Sequence, residues 1–202
     1  RLSVVTGVQT CALPILPEDI DYQHPRGLKR SQFQELLRCD WIRQGHNALI
    51  VGPTGVGKTF LACALGNAAC RQGLSVRYYR VPTLLREAAV AQGDGQYFEL
   101  LKTLRKAELL ILDDWGLANL LPAESRDLLE VLEDRSQRFS TLVASQLPIE
   151  HWHQSLGDST IADAILDRII HNAHKVLLRG ESMRKITRDS ENEAEFHSKK
   201  ED

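Results

Sequence analysis

Apolar residues gather in five short runs along the chain, and a stretch of helical spacing follows each of the first four. After Asn47, the stretch to Val51 is apolar without alternation, as is Leu109–Leu112, which is expected of parallel strands buried on both faces. Ser75–Val81 alternates weakly and is rich in β-branched and aromatic residues, which predicts a strand. Ser140–Ser145 and His174–Leu178 complete the set. The first helix is expected at about 31–43, with Ser31 as N-cap, Glu35 near a capping-box position, and Phe33, Leu36, Leu37 and Ile42 inward. A helix over 58–72 stops at Gln72-Gly73. Pro82 opens the next helix, through Leu84 and Leu85, and Gly93-Asp94-Gly95 breaks it. Another helix follows, with Phe98, Leu100, Leu101 and Leu104 as its apolar set. Pro122 starts a helix to about 138, with Leu128, Leu129, Val131 and Leu132 inward. A short amphipathic segment over 149–156 and a helix over 159–170 precede the last strand. Alternation of strands and helices predicts an α/β fold, a parallel sheet with helices on both faces.

The ends depart from this pattern. Residues 1–15 lack an initiator Met, carry one charge, and are interrupted by Thr6, Gly7, Gln9 and Thr10, so they do not read as a signal peptide. They look like a foreign leader, a translated adaptor remnant joined to a truncated gene, with an edge strand as the alternative. One domain is expected over 16–186, and residues 187–202 read as a polar, disordered tail. At 202 residues, 43% hydrophobic and 26% charged, the chain has the composition of an ordinary globular domain. With a net charge of −2, nucleic acid would have to be met by a local basic patch. Cys11, Cys39, Cys63 and Cys70 form no C-x-x-C motif and read as reduced thiols of a cytoplasmic protein. No apolar run approaches the ~18 residues of a membrane span.

The chemistry lies at two strand ends. Gly52-Pro53-Thr54-Gly55-Val56-Gly57-Lys58-Thr59 matches the phosphate-loop pattern G-x-x-x-x-G-K-[ST] at every fixed position, between a strand and a helix as that loop requires. Glycines let backbone N–H groups curl around a phosphate, and the helix N-terminus favours the same anion. Lys58 can reach the β and γ phosphates, and Thr59 can ligate Mg2+. Asp113 and Asp114 end the apolar strand Leu109–Leu112, at the edge where open α/β sheets bind ligands. Asp113 is the candidate Mg2+ partner of Thr59, and Asp114 is placed to activate water. Ser145 and Gln146 occupy another strand tip. His151 and His153, two residues apart, share no helix face and lack a positioned partner, which argues against a metal site.

Taken in order, the phosphate loop, Leu-Leu-Ile-Leu-Asp-Asp-Trp-Gly, Ala-Ser-Gln-Leu-Pro with His-Trp-His, Leu-Asp-Arg-Ile-Ile-His-Asn-Ala-His and Gly-Glu-Ser-Met-Arg-Lys resemble the IstB-like family. That family comprises AAA+ ATPases that assist insertion-sequence transposases, and it is similar to the DnaC helicase loaders. The resemblance covers about 17–186 and implies a P-loop AAA+ core with a five-stranded sheet in the order 5-1-4-3-2. It implies ATP bound between subunits of a homo-oligomer, duplex DNA and a cognate transposase as partners, and no membrane. It also gives Gln146, or Ser145 beside it, the sensor 1 role, Arg168 the arginine finger supplied in trans, and Arg184 sensor 2. Proteins of the family normally carry an N-terminal helical domain before the segment that begins here near Leu16, so full activity of this chain is in question. A DnaC-like replicative helicase loader is the alternative; a small-molecule P-loop kinase and a degenerate nucleotide-binding module fit less well. For DNA, the segment from Arg77 to Lys106 holds six basic and three acidic residues. Lys102, Arg105 and Lys106 fall within one helical turn, against the plainer reading of a solvated helix face. Arg26, Lys29 and Arg30 are the second choice for that contact.

Overall fold

The computed structural model describes residues 15–183. Cys11, Arg184 and the tail over 187–202 lie outside these residues, as does all but the last position of the leader. Five parallel strands form one sheet: β1 (Asn47–Val51), β2 (Val76–Arg80), β3 (Leu109–Trp115), β4 (Ser140–Ser145) and β5 (Ala173–Leu177), in the spatial order β2-β3-β4-β1-β5. This is the expected order read from the other edge. The central strands β1, β3 and β4 are buried almost throughout, and the edge strands β2 and β5 only in part. The unbroken apolar runs of β1 and β3 thus lie in the middle of the sheet, beside β4, whose Ser140, Thr141 and Ser145 are buried polar residues.

Side chains of each strand alternate between two apolar cores. Ala48, Ile50, Leu109, Ile111, Leu142, Ala144 and Val176 face one core, with α1 (Arg30–Leu37), α2 (Asp40–Arg43) and α3 (Lys58–Arg71). Leu49, Val51, Leu110, Leu112 and Val143 face the other, beneath α4 (Val81–Gly93), α5 (Tyr97–Lys106), α6 (Pro122–Arg135), α7 (Trp152–Ser155) and α8 (Ser159–Ile170). The parallel crossovers bring the C-terminal ends of β1, β3 and β4 together at one edge, where the chemistry-bearing residues leave the sheet.

Some local expectations need correction. The helix expected at 31–43 is two helices, because Cys39 adopts a left-handed backbone (φ 61°) between them. Ser31 is not a cap: α1 begins one residue earlier, with Lys29 at the N-cap and no side-chain cap. Phe98 is 66% exposed, while Leu101 and Leu104 are buried. The α6 helix ends at Arg135, and Gln137 turns left-handed before β4. By contrast, α8 spans the predicted residues and is capped by Asp158, whose carboxylate accepts from the Ile161 N–H at 3.0 Å. Among the described residues, Cys39, Cys63 and Cys70 are in no disulfide, and burial pushes the Cys39 thiol up to about 11. No helix among the described residues is long and apolar enough to cross a membrane.

Arg135 is 1% exposed and holds the α6 end to the sheet. Its guanidinium donates to the carbonyls of Leu104 (2.6 Å), Ala107 (2.8 Å) and Ser140 (2.5 Å), and to the Thr141 hydroxyl (3.2 Å). Burial pulls it down to about 9, still protonated at neutral pH. Arg135→Ala strips three buried carbonyls of a donor and opens a cavity, a loss of at least ~3 kcal/mol. At this size that corresponds to a fall in melting temperature of roughly 6–12 °C, measurable by thermal unfolding.

Candidate nucleotide-binding site

The β1 strand runs straight into the phosphate loop. The Gly52 N–H donates to the Ser145 carbonyl at 3.1 Å, tying the start of the loop to the tip of β4. A Cβ on Gly52 would lie 2.7 Å from the Leu178 carbonyl, so this close backbone approach requires glycine. Gly57 has φ 90° and precedes α3 with no side-chain cap, so the first N–H groups of that helix are turned towards the loop. Val56 is buried and anchors the loop from below. Lys58 folds back, its Nζ donating to the Pro53 carbonyl at 2.8 Å.

A cleft of about 860 Å3 opens above this loop. Its walls bring together Thr54, Gly55, Gly57, Lys58 and Thr59 with Asp113, Asp114 and Gln146, as the sequence spacing predicts. Asp113 is almost fully buried, and each of its oxygens is engaged. Oδ2 accepts from the Thr59 hydroxyl at 2.7 Å and from the Tyr78 hydroxyl at 2.8 Å, and Oδ1 accepts from the Asp114 N–H at 2.9 Å. Burial first, then the charge of Asp113, pushes the Tyr78 phenol far up, so it remains a donor. Two metal ligands at right angles, each ~2.1 Å from Mg2+, stand about 3 Å apart. The Thr59 and Asp113 oxygens meet that spacing, so this donor pair fits the ion.

Asp114 adopts φ 57°, where the β3 ladder to β4 shifts register between Leu112 and Trp115. The turn aims its carboxylate at the end of β2, where Arg80 Nε donates to Oδ2 at 2.5 Å. Gln146 Oε1 accepts from the Thr54 hydroxyl at 2.6 Å. Ser145 is buried, with its hydroxyl on the carbonyls of Trp115 (2.7 Å) and Leu147 (3.1 Å), so Gln146 is the residue of that pair that reaches the cleft.

Three contributors escape sequence reasoning. Tyr78 and Arg80 lie on β2, a strand whose residues carry no motif. Weak alternation places both side chains on one side of the strand, and that is the available signal. Arg26, a second choice for DNA by sequence, is instead 1% exposed. It donates to the carbonyls of Val56 (3.1 Å) and Asp21 (2.7 Å) and contacts the Met183 sulfur at 3.2 Å, pinning the underside of the loop. Burial lowers its proton affinity.

Other candidates lie away from the cleft. Arg168 is not among its lining residues; it donates to Glu133 at 2.5 Å and to the Ala164 carbonyl at 2.9 Å. Asn47 holds the end of that helix, donating to the carbonyls of Arg168 (2.8 Å) and Ile169 (3.2 Å). Lys102 and Lys106 on α5 face solvent, and Lys102 pairs with Glu99 at 3.1 Å. Arg105 leans onto α6, against Glu130 (2.7 Å) and Asp134. His153 pairs with Asp163 at 3.3 Å, and no metal-binding cluster is found among the described residues.

A parallel sheet in this order, with a phosphate loop after β1 and a buried aspartate bonded to the loop threonine, defines a P-loop protein of the AAA+ class. Solved structures share the fold. DnaI aligns with a TM-score of 0.68 at 23% identity over 83% of this chain and 89% of its own. The replication initiator DnaA, bound to AMPPCP and single-stranded DNA, aligns at 0.67 and 17% identity over 89% of this chain and 55% of its own. The sequence pattern of the IstB-like ATP binding protein family matches residues 6–191, and the chain belongs to that family. Among its relatives, the insertion sequence ATP-binding protein y4pL of Sinorhizobium fredii is 54% identical over 86% of this chain and 71% of its own length. The ATP-binding protein of insertion sequence IS21 from Pseudomonas aeruginosa is 30% identical over 83% of this chain and 63% of its own.

Proposed function

We propose that the chain hydrolyses ATP to ADP and phosphate and works as the ATP-dependent helper of a cognate transposase on duplex DNA. The observation that carries this reading is the bond from Thr59 to Asp113, with Asp114 next to it in the same cleft. Backbone N–H groups of Gly55 to Thr59 hold the phosphates, and Lys58 turns from Pro53 to the β and γ oxygens. Thr59 and Asp113 would hold Mg2+, which when bound neutralises charge on the phosphate oxygens. Asp114 accepts the proton of the attacking water, and Gln146, aligned by Thr54, orients that water. Arg168 reaches the site of a neighbouring subunit, where its cation stabilises the charge of phosphoryl transfer. Its hold on Glu133 is half-exposed and exchangeable. Arg184, beyond the described residues, takes the sensor 2 role in the same reading. The names of the insertion-sequence relatives support the transposition setting.

The DNA-contacting face in this reading is α5. Lys102 and Lys106 meet phosphates, and Arg105, braced by α6, holds the helix in place. Duplex binding in the presence of ATP is then sequence-tolerant and weakens with salt. The Lys102, Arg105, Lys106 triple-alanine variant is expected to flatten the slope of log affinity against log salt by about 0.9 for each phosphate no longer neutralised. An unchanged affinity and slope in a duplex titration would exclude this face. Preference for single strands over duplex would favour a helicase-loader role instead.

A further inference from the structure

Three groups among the described residues donate to the Asp113 carboxylate: the Thr59 and Tyr78 hydroxyls to Oδ2 at 2.7 and 2.8 Å, and the Asp114 N–H to Oδ1 at 2.9 Å. They differ in kind. Thr59 is itself a proposed ligand of the ion, and the Asp114 N–H belongs to the next residue of the same turn. Tyr78 comes from another strand and has no place of its own in the proposed chemistry. Its register partner is Ile111, two residues before Asp113 and on the same side of β3. The ring packs against the core that holds Ile111, and the residue also lines the phosphate cleft. The length of a tyrosine spans the offset from Ile111 to Asp113. A phenylalanine would fill the same part of the core and deliver no donor. The core therefore uses the ring, and the hydroxyl serves the carboxylate. The last torsion of an aspartate has a broad minimum, so its plane is set by what its oxygens bond. A small ion that demands near-octahedral geometry gains from a carboxylate already held in place.

We propose that Tyr78 is a positioning residue for Mg2+. Its hydroxyl fixes the Asp113 carboxylate in the orientation in which that residue and Thr59 receive the ion. It thereby sets how strongly Mg2+ supports nucleotide binding, and it leaves the grip of the phosphate loop on the nucleotide alone unchanged. This role rests on the proposed ATPase reading and adds to it a residue outside the phosphate loop and the aspartate pair.

Binding at equilibrium tests it without turnover. The affinity for a β,γ-methylene analogue of ATP is measured by calorimetry in EDTA and over a series of Mg2+ concentrations. The unaltered chain, Tyr78→Phe, Asp113→Asn and the double variant are compared. Tyr78→Phe is expected to raise the Mg2+ concentration at half effect about tenfold, as loss of a bond to a metal-binding carboxylate does, and to leave the affinity in EDTA unchanged. With Asp113→Asn already in place, the same substitution is expected to shift the Mg2+ dependence by less than about twofold, because the carboxylate through which it acts is gone. If Tyr78→Phe lowers the melting temperature, the ratio of affinities with and without Mg2+ still reports the effect, since a packing defect weakens both alike. Equal losses in the two conditions, or an unmoved Mg2+ midpoint, would overturn the proposal, as would a full tenfold shift in the Asp113→Asn background. If the unaltered chain bound the analogue neither with Mg2+ nor without it, the parent reading would fail, and that failure appears before any substitution is made.

Discussion

Lys58→Ala is expected to lose ATP affinity by at least about 100-fold, since it removes the cation facing two phosphate groups and each charge-assisted contact contributes ~1.5–3 kcal/mol. The fold should hardly notice. Lys58 is only half-buried and bonds the exposed Pro53 carbonyl, so the melting temperature should shift by what a surface change of under ~1 kcal/mol produces. Calorimetric titration with Mg·ATP, paired with thermal unfolding, separates the two effects. Retained affinity in a folded variant would remove the phosphate-loop assignment.

A larger effect is expected from Arg168. In phosphoryl-transfer systems an arginine finger contributes ~10³ to 10⁵ in rate. Arg168→Ala should therefore cripple turnover and leave nucleotide affinity unchanged, because the side chain lies outside the cleft of its own subunit. Asp114→Asn should also bind Mg·ATP, through Asp113 and Lys58, and fail to hydrolyse it. Mixing the two inactive variants in equal amounts is the decisive arm. In a random cyclic or helical oligomer, about a quarter of interfaces then pair an intact Asp114 with an intact Arg168. Recovery of phosphate release towards that fraction is expected. A mixture as inactive as its parts would mean that Arg168 works within its own subunit or has no part in catalysis.

The contrast between Thr59 and Arg80 explains what the sequence could reveal. Thr59 is legible because the phosphate loop is local: its backbone path, its glycines and its helix are all specified within a dozen residues. Asp113 and Asp114 are legible because an unbroken apolar run announces a buried central strand, and the polar residues that end it must emerge at the ligand-binding edge. The sheet order comes from the resemblance, since several orders satisfy the same alternation of strands and helices. Arg80 and Tyr78 reach the site by lateral pairing of β2 with β3, a contact between distant segments that no local pattern encodes. Arg26 misleads for a related reason. A basic residue in a proline-flanked segment reads as solvated, yet the tertiary fold lays that segment beneath the loop and buries the guanidinium against Val56. Cys39 breaks the first helix because its left-handed backbone is fixed by packing, with the side chain fully buried, and not by a glycine that could be read.

Release of inorganic phosphate from ATP, followed over a range of protein concentrations with and without duplex DNA, tests the central claim most directly. If Thr59, Asp113 and Asp114 form a hydrolytic site completed by Arg168 of a neighbour, release requires no small-molecule acceptor and rises more steeply than protein concentration. It increases further when duplex DNA gathers subunits. Release strictly proportional to protein concentration and indifferent to DNA, or no release under conditions where ATP is bound, would contradict the account.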